Sequence, residues 1–324
     1  MTPVKIALIG ECMVELQESE PGMTKQTFGG DTLNTAIYCA RLAKDLPVEV
    51  DYVTAVGTDP FSERMIDFWE KEGVGSTLVQ RQKGELPGLY YIELDAHGER
   101  IFHYWRGEAA AKKCFEYAHS DEVLRHLSEY DGIYLSGISL AILTPISREK
   151  LLNRLYELHE QGISIYFDCN YRPHLWSSVD LAREAYAKLY PLSRVVFLTV
   201  EEAEILLQES DSAKIHQILQ VAGSKESVIK DGGGMCSIFA DGRLQEIPAH
   251  LVKEVVDTTA AGDSFSAVYL VARRFNCSPN DAAMMAHRTA AYVICHKGAI
   301  APIEAMPITG LDIKSCRLKS RACE

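Results

Sequence analysis

The sequence predicts an α/β fold with a mainly parallel sheet covered by helices on both faces. Short β-branched runs alternate with longer segments of helical period along most of the 324 residues, and that alternation implies parallel strands joined by crossover helices. Several of the runs are apolar on both faces, as strands buried inside a parallel sheet are. No low-complexity stretch, fixed repeat or linker interrupts the pattern, and the length suffices for one large core.

Strands are predicted over residues 4–9, 51–56, 132–135, 163–167, 195–198 and 228–230. Amphipathic helices are predicted near 32–44, 60–72, 147–161, 179–190, 201–208 and 212–222, with two more near 262–275 and 279–297 closing the chain. One region breaks the alternation. Residues 88–95 and 99–106 read as two strands joined by Ala96-His97-Gly98, and a three-residue loop ending in glycine fits a type I turn followed by a left-handed bulge residue. That register pairs Asp95 with Glu99, Ile92 with Phe102 and Tyr90 with Tyr104. Tyr90, Tyr104 and Arg106 then share one face. With the extended residues around 13–28 this forms a small projecting sheet, a plain hairpin packed on the core or a lid over a ligand.

The composition is that of an ordinary globular protein. Lys+Arg is 33 against 45 Asp+Glu, a formal net charge of -12, which repels phosphate backbones and anionic lipid and argues against nucleic acid or membrane as the main partner. The apolar stretch at 6–9 is too short for a signal peptide's core, and no later run approaches the ~20 residues needed to cross a bilayer. The nine cysteines are scattered and form no CxxC pair, as expected of reduced thiols in a cytoplasmic protein.

Two segments carry chemistry. In Val255-Val-Asp-Thr-Thr-Ala-Ala-Gly-Asp-Ser-Phe-Ser266 a strand end is expected to pass through small residues into a helix led by Asp263. Unobstructed backbone N–H groups at a helix start form an anion site for phosphate oxygens. A carboxylate there can take the proton from a hydroxyl that attacks the phosphate, or can simply cap the helix. In Phe28-Gly-Gly-Asp-Thr-Leu-Asn34 the paired glycines permit φ > 0 and close approach of a ligand, while Asp31 and Asn34 suit sugar hydroxyls. Neither the P-loop pattern nor GxGxxG is present.

Together, the glycine pair with Asn34 and Asp257-Thr-Thr-Ala-Ala-Gly-Asp263 resemble the two signatures of the ribokinase/PfkB carbohydrate kinase family. The likeness runs from Ile6-Ala-Leu-Ile-Gly-Glu11 to Gly298-Ala299. Finer details resemble the branch of that family acting on the sugar acid 2-keto-3-deoxygluconate: Gly10-Glu-Cys-Met-Val-Glu15, Leu86-Pro-Gly-Leu-Tyr-Tyr91, Tyr104-Trp-Arg106, Leu135-Ser-Gly-Ile-Ser139 and Asp168-Cys-Asn-Tyr-Arg-Pro173.

The resemblance implies a ribokinase-like αβα sandwich with a small β lid, ATP and Mg²⁺ as cofactors, and phosphoryl transfer to a primary hydroxyl. On that analogy Asp263 is the base and Ala260, Ala261, Gly262 and Asp263 form the anion hole. Gly30, Asp31, Asn34, Tyr90, Tyr104, Arg106, Arg172 and Asp257 hold the sugar acid. Asn170, Arg172, Lys230, Gly232 and Gly233 border the nucleotide. Where the family often carries Asn-x-x-Glu for Mg²⁺, this chain reads Thr199-Val-Glu-Glu202, so no metal residue is assigned. Asp257 and Thr259 are compatible with a monovalent cation, although Pro302 stands where a hydroxyl would help. One kinase domain is expected over residues 1–310, with lid segments at about 12–30 and 86–108, a polar tail at 311–324, and lid-to-lid pairing as the route to a homo-oligomer. A neutral-sugar kinase of the same family, fructokinase or ribokinase in type, stays open as an alternative, and so does a non-catalytic sugar-binding regulator.

Overall fold

The computed structural model describes residues 2–20, 22–94 and 100–322. The chain opens with β1 (Val4–Ile9), β2 (Met13–Glu20), β3 (Met23–Gly29), α1 (Asp31–Ala43), β4 (Val48–Val56), α2 (Pro60–Lys71), β5 (Val79–Arg81), β6 (Gly88–Leu94) and β7 (Arg100–Trp105). It continues with α3 (Ser120–His126), β8 (Gly132–Ser136), α4 (Gly137–Ile142), α5 (Pro145–Glu160), β9 (Ser164–Asp168), α6 (Val179–Leu189) and β10 (Ser193–Thr199). The last part holds α7 (Val200–Leu207), α8 (Ser212–Val221), β11 (Glu226–Lys230), β12 (Met235–Ala240), β13 (Arg243–Pro248), α9 (Ala261–Arg274), α10 (Pro279–Val293) and α11 (Gly310–Ala322).

Nine strands form one sheet in the order β13-β12-β11-β10-β9-β8-β1-β4-β5. It is parallel except where β12 and β13 add to β11 as antiparallel hairpins. Apolar residues on alternate positions feed two separate cores. Ile6 and Leu8 of β1 pack into one and Ala7 and Ile9 into the other, which is why these strands read as continuous apolar runs. The first core lies under α1, α2, α9 and α10, the second under the helices from α3 to α8. Helix starts follow local chemistry: Asp59, Thr144 and Ser278 each cap a helix whose first residue is proline, which lacks the N–H that would go unpaired there.

A second sheet, β3-β2-β6-β7, makes the lid. Its register pairs Tyr90 with Tyr104 and Ile92 with Phe102, as the hairpin spacing predicts. The Asp95–Glu99 pairing and the turn at 96–98 lie outside the described residues.

Three local expectations change. Val255 and Val256 are not a strand end but an irregular, exposed approach to α9, held by Val256 N and Asp257 N donating to Ile294 O at 2.8 and 3.1 Å. Neither Gly29 nor Gly30 is left-handed, and Gly30 is extended at φ 166°. A Cβ at Gly30 would stand 2.2 Å from the Glu11 carbonyl oxygen, so this glycine lets the chain pack on itself. The expected polar tail contains α11, whose Ile313 is fully buried in the first core.

Candidate active site

The parallel strands end on one cleft of about 880 Å³, the usual place for ligands in an open α/β sheet. The lid contributes Tyr90, Phe102, Tyr104 and Arg106 to its wall. The loop before α9 is moored by Asp257. Its carboxylate accepts from Thr259 N and Oγ1 at 3.0 and 2.7 Å, and from Gly298 N at 2.6 Å. Ala260 then takes a left-handed conformation, φ 60°, and α9 begins. The helical bonding starts with Ser264 N donating to Ala260 O at 2.9 Å. Before it, Ala261 N donates to Thr258 O at 3.2 Å, while the N–H groups of Gly262 and Asp263 have no intrahelical acceptor, an arrangement able to receive an anion.

Asp263 stands in that first turn. Its carboxylate accepts from Asn34 Nδ2 at 2.9 Å. Burial, followed by the charges of Asp31 and Asp168, pushes its pKa up to about 8 against the opposing hydrogen bond from Asn34. Burial likewise raises the pKa of Asp31, although the Ser136 hydroxyl, the Thr32 N–H, Arg172 and Asn170 pull the other way. Asn170 Nδ2 donates to Asp31 at 2.8 Å. A half-buried carboxylate with a raised pKa, beside the N–H donors of Gly262 and Asp263, can take a proton from a hydroxyl whose oxygen attacks a phosphate held there.

At the end of β11, Lys230 Nζ pairs with Asp168 at 3.0 Å, and Ser266 Oγ donates to the same oxygen at 2.8 Å. Burial alone would lower the lysine's pKa, but Asp168 and Glu202 outweigh it and keep the ammonium charged. The turn after β11 uses Gly232 at φ 46° and closes with Gly234 N donating to Asp231 O at 2.8 Å. Thr199 and Glu202 form a capping box on α7. Glu202 also accepts from Tyr171 N at 2.7 Å, so the Thr199-Val-Glu-Glu202 segment serves the helix start. Among the described residues, no group of three or more His, Cys, Asp or Glu converges to hold a metal ion.

On the lid side, the Tyr90 and Tyr104 rings lie 5.9 Å apart. Tyr90 is buried, with its hydroxyl donating to Glu15, whereas Tyr104 is 43% exposed. Arg106 forms an ion pair with Glu11, a buried residue just after β1. Burial raises the pKa of Glu11 although Arg106 opposes it. Glu11 Oε1, Arg106 Nε and Asn34 Oδ1 are buried without hydrogen-bond partners.

Gly30, Asp31, Asn34, Tyr90, Tyr104, Arg106, Asn170, Arg172, Lys230, Gly232 and Ala260 to Asp263 all line this cleft. Asp257 and Gly233 do not. Asp257 is buried behind the loop that it holds, and Gly233 is at the exposed outer side of its turn. Glu11, Asp168, His174 and Phe102 line it as well and were not among the expected site residues. Glu11 and Asp168 each stand at the polar end of an apolar strand, the sequence signal by which they could be found.

The pfkB family carbohydrate kinase pattern matches residues 4–306. The chain belongs to this family. It is 48% identical over 306 residues to a 2-dehydro-3-deoxygluconokinase of Escherichia coli (strain K12), covering 94% of this chain and 99% of that one. It is also 48% identical over 310 residues to the enzyme of that name from Dickeya dadantii (strain 3937), covering 95% and 100%. A structure from E. coli solved with ATP and Mg²⁺ superposes with a TM-score of 0.81 at 21% identity, covering 98% of this chain and 99% of that one, which shows the shared fold. The carbohydrate kinase family thus accounts for both the doubly covered sheet and the lid.

Proposed function

We propose that the chain transfers the γ-phosphoryl group of ATP to the 6-hydroxyl of 2-keto-3-deoxygluconate (2-dehydro-3-deoxy-D-gluconate), a step of sugar-acid catabolism. The observation that carries this reading is the half-buried Asp263 carboxylate, in the first turn of α9 beside the N–H groups of Gly262 and Asp263 and in one cleft with two arginines. Asp263 takes the hydroxyl proton, the N–H groups of Gly262 and Asp263 face the oxygens of the transferred group, and Lys230 adds a positive charge. Arg106 and Arg172 face the substrate carboxylate. The fructokinase and ribokinase alternative brings no substrate carboxylate to these arginines, and a regulator has no use for a base beside an anion hole. A coupled ADP-release assay over a panel of sugar acids and neutral sugars tests the reading. Turnover of fructose or ribose in preference to the acid overturns it.

ATP fits the cleft through the anion hole, Lys230, Asn170, Arg172 and the Gly232 turn. Mg²⁺ usually comes bound to phosphate oxygens and water, with few protein ligands. That suits a site in which Glu202 is already engaged by the backbone. When bound, Mg²⁺ would neutralise phosphate charge. A monovalent cation beside Asp257 belongs to the same reading and is tested by exchanging K⁺ for choline. The lid's exposed Ile101 and Trp105 suit pairing with the lid of a second copy, which sedimentation tests. No helix among the described residues is long and apolar enough to cross a membrane, and the eight described cysteines are free, in keeping with a cytoplasmic setting.

A further inference from the structure

His174 lies in the short turn Pro173–Leu175, two residues beyond Arg172, and lines the cleft wall. Its ring stacks on Tyr104 of the lid, with centroids 5.9 Å apart and planes at 28°. The charged and titratable groups facing it are Tyr104 and Arg106 from the lid and Arg172 from its own loop, with Glu11 behind Arg106 and Asp31 behind Arg172. Both arginines are partly committed. Arg106 Nη2 donates to Glu11, and Arg172 Nη1 donates to the Tyr171 carbonyl at 3.0 Å. A substrate carboxylate between lid and loop therefore finds incomplete forks and an imidazole edge beside them.

We propose that His174 is a specificity-determining residue of the sugar-acid subsite, holding the lid through Tyr104 and donating a ring N–H to the substrate carboxylate, with uptake of a proton as the acid binds. This inference rests on the sugar-acid reading above. His174 is exposed, yet partial desolvation, then Arg106 and Arg172, holds its imidazole below the ordinary range and so favours the neutral form. A carboxylate arriving beside it reverses the local field and favours imidazolium. A neutral ketose brings no charge and draws no proton.

Calorimetric titration of the full chain with 2-keto-3-deoxygluconate at pH 7, without ATP, in buffers of different ionisation enthalpy reads the proton directly. The wild type should take up a fraction of a proton, and His174→Phe, which keeps the stacking ring, should take up none. The same variant should lose roughly 10–100-fold in kcat/KM for the acid, the worth of a charged hydrogen bond, while kcat/KM for fructose moves by less than about threefold. His174→Gln serves if the Phe variant does not fold. Absence of proton uptake by the wild type, or an unchanged acid-to-fructose ratio in a folded variant, overturns the role of His174 and leaves the sugar-acid reading standing. A wild type that does not turn over the acid overturns both.

Discussion

Asn34 donates its amide hydrogen to Asp263 at 2.9 Å across the cleft, while its own buried carbonyl oxygen has no partner. The bond fixes which way the amide faces. Asn34 Oδ1 is thereby left as an acceptor close to the base, where a sugar hydroxyl can satisfy it. One residue in the first turn of α1 thus orients the proposed proton acceptor and keeps an acceptor of its own beside it.

Asp263→Asn keeps the size and the polar contact to Asn34 but cannot accept the proton. Its kcat should fall by ~10²–10⁴ while KM for the sugar changes little. The same variant should melt at a higher temperature than wild type at neutral pH. A carboxyl with a folded pKa raised from 3.8 to about 8 binds more protons when folded. Its stabilising contribution is therefore complete below about pH 4 and is lost as pH rises to about 8. Asparagine never carries that charge. A kcat close to wild type would reduce Asp263 to a helix residue.

The pH profile follows from the same shift. Activity needs ionised Asp263, so kcat/KM should fall with unit slope as pH drops below about 8. Asp31 is the next cause after burial. Asp31→Asn removes that charge and should move the acid limb to lower pH, whatever it does to substrate affinity. A limb that stays in place would show that Asp31 does not act on the base.

Arg106 tests both selectivity and the lid. Losing a charged hydrogen bond to the substrate costs ~1.5–3 kcal/mol, so Arg106→Ala should cut kcat/KM for the sugar acid ~10–150-fold and affect a neutral ketose much less. It also strands the buried Glu11 carboxylate, and breaking a buried pair commonly costs about 3–5 kcal/mol. Adding Glu11→Gln should restore much of the melting temperature but not the selectivity. Equal losses on both substrates would promote the neutral-sugar alternative.

Periodicity made most of the sheet legible, since strands buried on both faces declare themselves as apolar runs and the helices between them as amphipathic ones. The lid register followed from alternation, which places Tyr90 opposite Tyr104. The ion pair between Glu11 and Arg106 could not be read, because it joins residues 95 positions apart and no local pattern encodes it. The committed hydroxyl of Tyr90 was hidden for the same reason. Helix α11 was missed because its polar sequence shows only a few apolar residues, among them the fully buried Ile313. Asp257 was legible as part of a motif, but the motif does not say whether a side chain faces the ligand or the loop that presents it.

The anion hole is tested by two substitutions with opposite expected outcomes. Gly262 lies in α9 without positive φ, so a valine there meets no backbone strain. An added Cβ would meet only Lys230 Nζ, at 3.5 Å, an ordinary contact with the end of a flexible chain. Valine is also a better helix former than glycine. Gly262→Val should therefore leave the melting temperature intact or slightly higher while its branched side chain intrudes where phosphate oxygens approach. Turnover should drop at least ~100-fold, in line with the loss of one oxyanion-hole donor. Ala260 is the reverse case. It holds φ 60° with a Cβ, a conformation costing ~1–2 kcal/mol for an ordinary residue. Ala260→Gly should raise the melting temperature and retain turnover, since its backbone N–H stays in place. Normal phosphorylation by Gly262→Val would mean that the transferred group does not sit over the first turn of α9.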